Sequence, residues 1–194
     1  GGLLGIYDIY VRDFWWASFV DEIESRGRMD TIDGVHIHGY PIFSTGLLPN
    51  CLGGWCMPEL PGALNYFYEH YIEAYGLGGR PVWITEVGSA SWCMPDTIFT
   101  RWLSWEPAQW DEIRDGFMEP FAWWFNGDPE WAARYPSIDA NPGYDAAFWF
   151  IPIAGAVSDD PSWMGYRRWW CSFLVDDEGD ITPLGEYWQS GVGR

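Results

Sequence analysis

Hydrophobic residues recur at two spacings along the chain, and the alternation of these spacings predicts strands that are followed by helices. Three short apolar runs, 34–40, 81–87 and 145–152, have the length and the β-branched or aromatic content of buried strands. Apolar residues three and four positions apart predict amphipathic helices over 13–27, 64–75, 107–124 and 182–188. The pattern also predicts a strand end over 1–9, and an extended segment over 167–175 that turns at 176–180.

This strand–helix order predicts an α/β fold, in which a parallel sheet is covered by helices. A doubly wound sheet and a barrel share the order, so spacing alone does not choose between them. No G-x-G-x-x-G or P-loop follows any of the three strands. The usual nucleotide-binding sites are therefore excluded.

Composition narrows the classes of function. The chain has 194 residues, enough for one domain with its own core. Its 16 Trp, 11 Tyr and 11 Phe supply flat rings that suit stacking on sugars as well as core packing. The net charge of −18, with arginine as the sole basic residue type apart from histidine, disfavours nucleic acid as a partner. No apolar run approaches the roughly 18 residues of a membrane-spanning helix.

The four cysteines are candidates for disulfides rather than for metal binding. Cys51, Cys56, Cys93 and Cys171 form no C-x-x-C pair, and the histidines lie elsewhere in the sequence. Three pairings remain open, with Cys51–Cys56 the most plausible bridge, and we predict neither a metal nor a cofactor. An extracellular or cell-surface location is favoured. The chain starts at Gly1 without a visible signal peptide, which suggests a removed start or a piece of a longer chain.

Polar residues interrupt the predicted strands at their carboxyl ends, where parallel α/β folds place their active sites. Glu86 is the most informative, because a carboxylate that ends a buried apolar run costs several kcal/mol unless it is hydrogen-bonded or used. The alternative is a structural glutamate paired with an arginine. The other polar or aromatic residues at these ends are His36, His38, Tyr40, Thr85 and Trp149.

Four segments resemble a known enzyme group. Trp83-Ile84-Thr85-Glu86-Val87-Gly88 resembles the seventh-strand nucleophile motif of the clan A glycoside hydrolases, and His38-Gly39-Tyr40-Pro41 resembles their sixth-strand H-x-Y-P. Segment 176–185, with its Ile-Thr-Pro-Leu-Gly ending, resembles the end of these barrels. Phe148-Trp149-Phe150 resembles their eighth strand, which carries a sugar-platform tryptophan. The closest resemblance is to the catalytic-core group that includes the family 128 β-1,3-glucanases.

The resemblance implies a fold and a set of roles. Residues 1–194 would be the C-terminal part of one (β/α)8-barrel (TIM-barrel) domain, covering about the fifth to eighth strand–helix units. Glu86 would be the nucleophile of a retaining hydrolase that acts on a β-linked glycan. Tyr40 would donate a hydrogen bond to Glu86, and His38 would contact a sugar hydroxyl or the carboxylate. The remaining candidates for substrate binding are Trp149, as a stacking floor, and Trp92, as a subsite lining.

Each of these roles has a structural alternative: a core position for Tyr40, His38 and Trp149, and loop packing for Trp92. For His36 we expect a packing role. The general acid/base of clan A is a glutamate that usually follows asparagine, and this sequence has no Asn-Glu pair. We therefore expect the proton donor, and the rest of the barrel, to lie upstream or in another chain, and the segment alone to be inactive. The alternative function is a non-catalytic carbohydrate-binding or structural module of a larger assembly.

Overall fold

A computed structural model describes residues 8–39, 59–88, 114–149 and 174–191, with 177 excepted; the side chains of 8–15 and of residue 59 are not described. Within these ranges five α-helices and three β-strands follow one another along the chain. They are α1 (Asp8–Ser25), β1 (Val35–Gly39), α2 (Glu59–Phe67), β2 (Val82–Val87), α3 (Glu119–Asn126), α4 (Pro129–Arg134), β3 (Ala146–Trp149) and α5 (Pro183–Gly191). Wider π-helical turns extend α2 over Tyr68–Glu73 and precede α3 over Arg114–Met118.

The strands form a parallel sheet in the order β1-β2-β3, with β2 in the centre. All three predicted strands are present. Each begins one residue later than expected, and residues 40 and 150–152 of the expected ranges lie outside the described part of the chain. One face of the sheet is apolar and covered by helices, and we call it the covered face. Its side chains, with those of the helices, belong to a single buried cluster that includes Val35, Ile37, Val82, Ile84, Leu64, Phe67, Phe121, Trp124 and Leu184.

The opposite face, which we call the open face, carries the side chains that alternate with this apolar set. Those of β1 and β2 are His36, His38, Trp83, Thr85 and Glu86, and those of β3 are Ala146 and Phe148. Trp83 and Phe148 are 45% and 50% exposed, whereas Ile84, which follows Trp83 on β2, points to the covered face and is fully buried. The sheet is therefore amphipathic, with its chemistry-bearing residues on the less covered side.

Strand β2 contains a β-bulge that decides where Glu86 lies. Ile37 pairs with Ile84, but the next residue of β1, His38, pairs with Glu86, so Thr85 is one extra residue on β2. The same extra residue recurs against β3, where the register also shifts after Ile84. Strict alternation from Ile84 would turn Glu86 toward the covered face. The bulge instead places Glu86 beside His38 on the open face.

Side-chain hydrogen bonds fix the segments that lead into the strands. The Asp145 carboxylate accepts a hydrogen bond from the Val82 backbone N–H at 2.8 Å, which joins the beginnings of β2 and β3. Asn141 donates to the carbonyls of Phe125 and Tyr144, and the Tyr144 hydroxyl donates to the Leu64 carbonyl at 2.8 Å. These bonds fasten the connection between α4 and β3 to the helical layer, and they set the position of β3 in the sheet.

The predicted fold class, a C-terminal half of a (β/α)8 barrel, is wrong for the described residues. They form a small mixed α/β unit with a three-stranded parallel sheet, and no fourth parallel strand occurs in the parts of the chain given above. A barrel fills its inner face with packed layers of side chains. Here Trp83 and Phe148 are half exposed on the open face. Strand–helix alternation is a property of any parallel sheet, and three strands are enough to produce it.

The start of the described chain also differs from the prediction, whereas its end agrees with it. Helix α1 already begins at Asp8, where the sequence pattern predicts the end of a strand and a loop. Near the other end, Val175 and Ile181 form an isolated antiparallel bridge across the turn, and residues 167–173 of the predicted extended segment lie outside the described part of the chain. The predicted turn at 176–180 is present, as is the final helix.

Candidate functional site

The carboxyl ends of β1 and β2 bring two of the sequence candidates together. His38 and Glu86 are paired across the two strands, and His38 Nδ1 lies 3.1 Å from Glu86 Oε2. Their side chains are 14% and 28% exposed, so both are largely enclosed, yet the carboxylate remains within reach of a ligand. An ionised carboxylate only accepts hydrogen bonds, so His38 must carry its proton on Nδ1 in that state. The contact fixes the orientation of both groups.

A second histidine, His36, forms a hydrogen bond with Thr85, the extra residue of the bulge. His36 Nδ1 and Thr85 Oγ1 share a hydrogen bond of 3.1 Å, and the His36 and His38 rings lie 6.4 Å apart. Burial lowers the pKa of His36, and the neighbouring His38 imidazole acts in the same direction. His36 is thus a neutral, hydrogen-bonded residue near neutral pH. The packing role predicted for it stays a prediction.

The two other candidates at or near strand ends have different outcomes. Trp149 belongs to the covered face, where it is 5% exposed and packs against Phe117 and Trp188 with ring centroids 5.8 and 5.0 Å away. Such a position is that of a core residue, and its burial does not support the predicted role as a stacking floor. Tyr40 lies just beyond the described end of β1, so its predicted hydrogen bond to Glu86 stays a prediction.

The loop candidates lie outside the described residues. These are Trp92, predicted to line a subsite, and the disulfide candidates Cys51, Cys56, Cys93 and Cys171. Their predicted roles are unchanged by the structure.

Two residues of the open face were not predicted from the sequence. The rings of Trp83 and Phe148 meet at a centroid distance of 6.4 Å and an interplanar angle of 67°, and both are about half exposed. The apolar character of both residues suggested burial. The sequence signal is indirect: side chains of a strand point alternately to its two faces, so Trp83 must face away from its neighbours Val82 and Ile84.

Carboxylates also gather in the turn before α5, at Asp176, Glu178 and Asp180, where ligand atoms lie within 4.8 Å of one another. The Asp176 side chain there accepts hydrogen bonds from the backbone N–H groups of Glu178 and Asp180. These bonds are those of a turn that the carboxylate stabilises. They give this cluster a structural role.

Comparison with protein-family models, with curated proteins and with solved structures finds no match to this chain. Among the described residues, no helix is both long enough and apolar enough to cross a membrane. The site must therefore be interpreted from its own geometry.

Proposed function

We propose that Glu86 is the nucleophile in the hydrolysis of a β-linked glycan, and that the proton donor comes from a second segment or chain. The observation that carries the proposal is the His38–Glu86 pair, a partly enclosed carboxylate held at 3.1 Å from an imidazole at the carboxyl end of a parallel strand. The β-bulge adds support, because bulges are over-represented next to active sites and serve to re-aim a side chain. The resemblance of the Trp83–Gly88 and His38–Pro41 segments to glycosidase motifs supplies the reaction class.

The chemistry follows from the donor and acceptor properties of the pair. A Glu86 oxygen attacks the anomeric carbon, the glycosidic C–O bond breaks, and the leaving oxygen takes a proton from the second carboxylic acid. Water then attacks the same carbon and gives a proton to the second carboxylate, the bond between the sugar and Glu86 breaks, and Glu86 is released as a carboxylate together with the hydrolysed sugar. His38 is a positioning residue in this scheme, since its Nδ1–H holds the carboxylate while its Nε2 is turned away from that bond.

The missing proton donor determines how the proposal is tested. A retaining glycosidase needs its two carboxyl groups about 5–5.5 Å apart, and this sequence has no Asn-Glu pair to supply the second one. A dinitrophenolate leaves without being protonated, so an activated substrate separates the nucleophile from the acid. We therefore choose a fluorinated β-glucoside with a dinitrophenyl leaving group, whose fluorine slows the release of the glycosyl-enzyme.

We expect the chain to release one dinitrophenolate per molecule and to gain the mass of one fluorosugar on the peptide that contains Glu86. Glu86→Gln should abolish both signals, because an amide is a far weaker nucleophile. Glu119→Gln is the matched control, because Glu119 is another partly buried glutamate but lies on α3 rather than on the sheet. Burial raises the pKa of Glu119, and the nearby Asp115 carboxylate acts in the same direction. Labelling that persists in Glu86→Gln would contradict the assignment.

A non-catalytic carbohydrate-binding module is the second candidate function, and the lack of an Asn-Glu pair in the sequence favours it. In that case the chain would bind a β-glucan oligosaccharide without ever forming the covalent adduct. Calorimetric titration of the same chain with the oligosaccharide, together with the labelling experiment, separates the two functions. Binding without labelling would indicate the module.

A further inference from the structure

The open face carries an aromatic pair whose position relative to Glu86 is set by the strand register. Trp83 pairs with Ala146 and Val87 pairs with Trp149, so Phe148 lies opposite the bulge that contains Thr85 and Glu86. One row of open-face side chains therefore runs from His38 through Glu86 to Phe148.

The packing of the two rings leaves their surfaces available. They touch edge to face rather than by stacking, and about half of each side chain remains exposed. Ala146, which neighbours Trp83 in the register, has a side chain too small to cover the indole. A half-exposed tryptophan and phenylalanine beside an enclosed carboxylate form an apolar floor next to a polar end.

We propose that Trp83 and Phe148 form the floor of a subsite for one neutral sugar ring of a β-linked glycan, beside the ring that meets Glu86. The inference rests on the proposed function, since it assigns the substrate class to the same site. A pyranose ring offers an apolar C–H face, which packs on the exposed surface of an aromatic ring, and hydroxyl groups around its rim. This suits two half-exposed rings, set edge to face, on the same face of the sheet as His38 and Glu86. The net charge of −18 disfavours an anionic glycan.

In this proposal Phe148 takes the sugar-stacking role that the sequence predicts for its neighbour Trp149. Trp149 points into the core, where Phe117 and Trp188 enclose it, while Phe148 one residue earlier faces outward. A ligand on the open face would therefore meet Phe148.

The test measures binding of a soluble β-1,3-glucan oligosaccharide to the Glu86→Gln chain by calorimetry and by tryptophan fluorescence. Trp83→Ala and Phe148→Leu, added to that background, should each weaken binding about tenfold, the size of one lost ring contact. Phe148→Tyr should retain the affinity because it keeps the ring. Phe19→Ala on α1, another exposed aromatic position, is the control and should change nothing. Thermal melts show that each variant is folded.

Equal affinity of Phe148→Leu and Phe148→Tyr, or no binding by the parent chain, would overturn the subsite. So would an equally tight complex with a polyanionic glycan. If Trp83 and Phe148 instead pack against a second copy of the chain, their substitution would change the sedimentation coefficient and leave sugar affinity unaltered, which also overturns it. The proposed nucleophile is judged separately, because covalent labelling of Glu86 does not depend on these outcomes.

Discussion

The two faces of the three-stranded sheet differ in what their residues contribute. On the covered face Ile37, Val82 and Ile84 are fully buried, and they pack into the cluster that the helices complete. On the open face two histidines, a threonine and a glutamate form hydrogen-bonded pairs beside two half-exposed rings. The covered face supplies most of the stability, because burial of apolar area is the dominant favourable term.

This difference shows why Glu86 can be tolerated at a strand end. Toward the covered face, a carboxylate among buried aliphatic side chains would cost several kcal/mol. The bulge at Thr85 moves it to the face where an imidazole lies opposite it in the register. With this one inserted residue, the aliphatic side chains of β2 stabilise the covered face while Glu86 lies on the open face.

The largest expected effect comes from one substitution made in the two environments. Phe121 is fully buried in the core and Phe148 is half exposed on the open face. Phe121→Ala should lower the free energy of unfolding by about 3–5 kcal/mol, since it removes transfer energy and leaves a cavity. Phe148→Ala should cost about 1 kcal/mol, because part of its surface is already in water and no closed cavity forms. Urea unfolding of both variants measures the two values, and similar losses would contradict the distinction between the faces.

Much of this division could be predicted from the sequence. The apolar runs located the three strands, and the three- and four-residue spacing identified Phe117, Phe121 and Trp124 as one buried helical face. Helix α4 was missed, although Asp128-Pro129-Glu130 is a helix start: the Asp128 side chain accepts a hydrogen bond from the Glu130 N–H, and proline occupies the first turn. A local signal existed there, but the polar surroundings resembled a loop.

The bulge and its consequences could not be predicted, because they depend on pairing between strands. No glycine or other local marker in Trp83-Ile84-Thr85-Glu86-Val87 shows that Thr85 is extra, and only the pairing with a neighbouring strand reveals it. The same limit explains the choice of Trp149 over Phe148. A shift of one residue exchanges the faces of a strand, and the resemblance pointed to a tryptophan whereas the register places the phenylalanine outward.

Loss of the hydrogen bond between His36 and Thr85 on the open face should have a smaller effect on the free energy of unfolding. Thr85→Val removes the hydroxyl that shares the 3.1 Å hydrogen bond with His36, and we expect a loss of about 1 kcal/mol in the free energy of unfolding. Thr31→Val is the control, because the Arg28 carbonyl that its hydroxyl bonds lies in an exposed turn and can turn to water. A double-mutant cycle with His36→Ala isolates the pair. A coupling energy near zero would mean that the bond does not stabilise the bulge.

The smallest effect is a pH dependence that arises on the open face of the sheet. The covered-face side chains Val35, Ile37, Val82 and Ile84 carry no titratable group. Burial lowers the pKa of His36 below its ordinary value of 6.5, with a further lowering from the neighbouring His38 and an opposing influence from Glu86. Between its lowered native pKa and 6.5 the unfolded chain binds more protons than the native chain, so stability falls as the pH drops through this window. Above about pH 7 the contribution is fully present, because His36 is neutral in both states.

His36→Gln keeps a hydrogen-bonding side chain opposite Thr85 but removes the titration. Its free energy of unfolding should therefore decline less than that of the parent between about pH 7 and pH 5, as measured by urea unfolding at several pH values. The difference at about pH 8 gives the baseline cost of the substitution itself, because neither state of the parent holds a proton on His36 there. Parallel pH profiles for the two proteins would show that His36 is protonated as readily in the sheet as in water, and the open face would then be wetter than its hydrogen-bonded pairs imply.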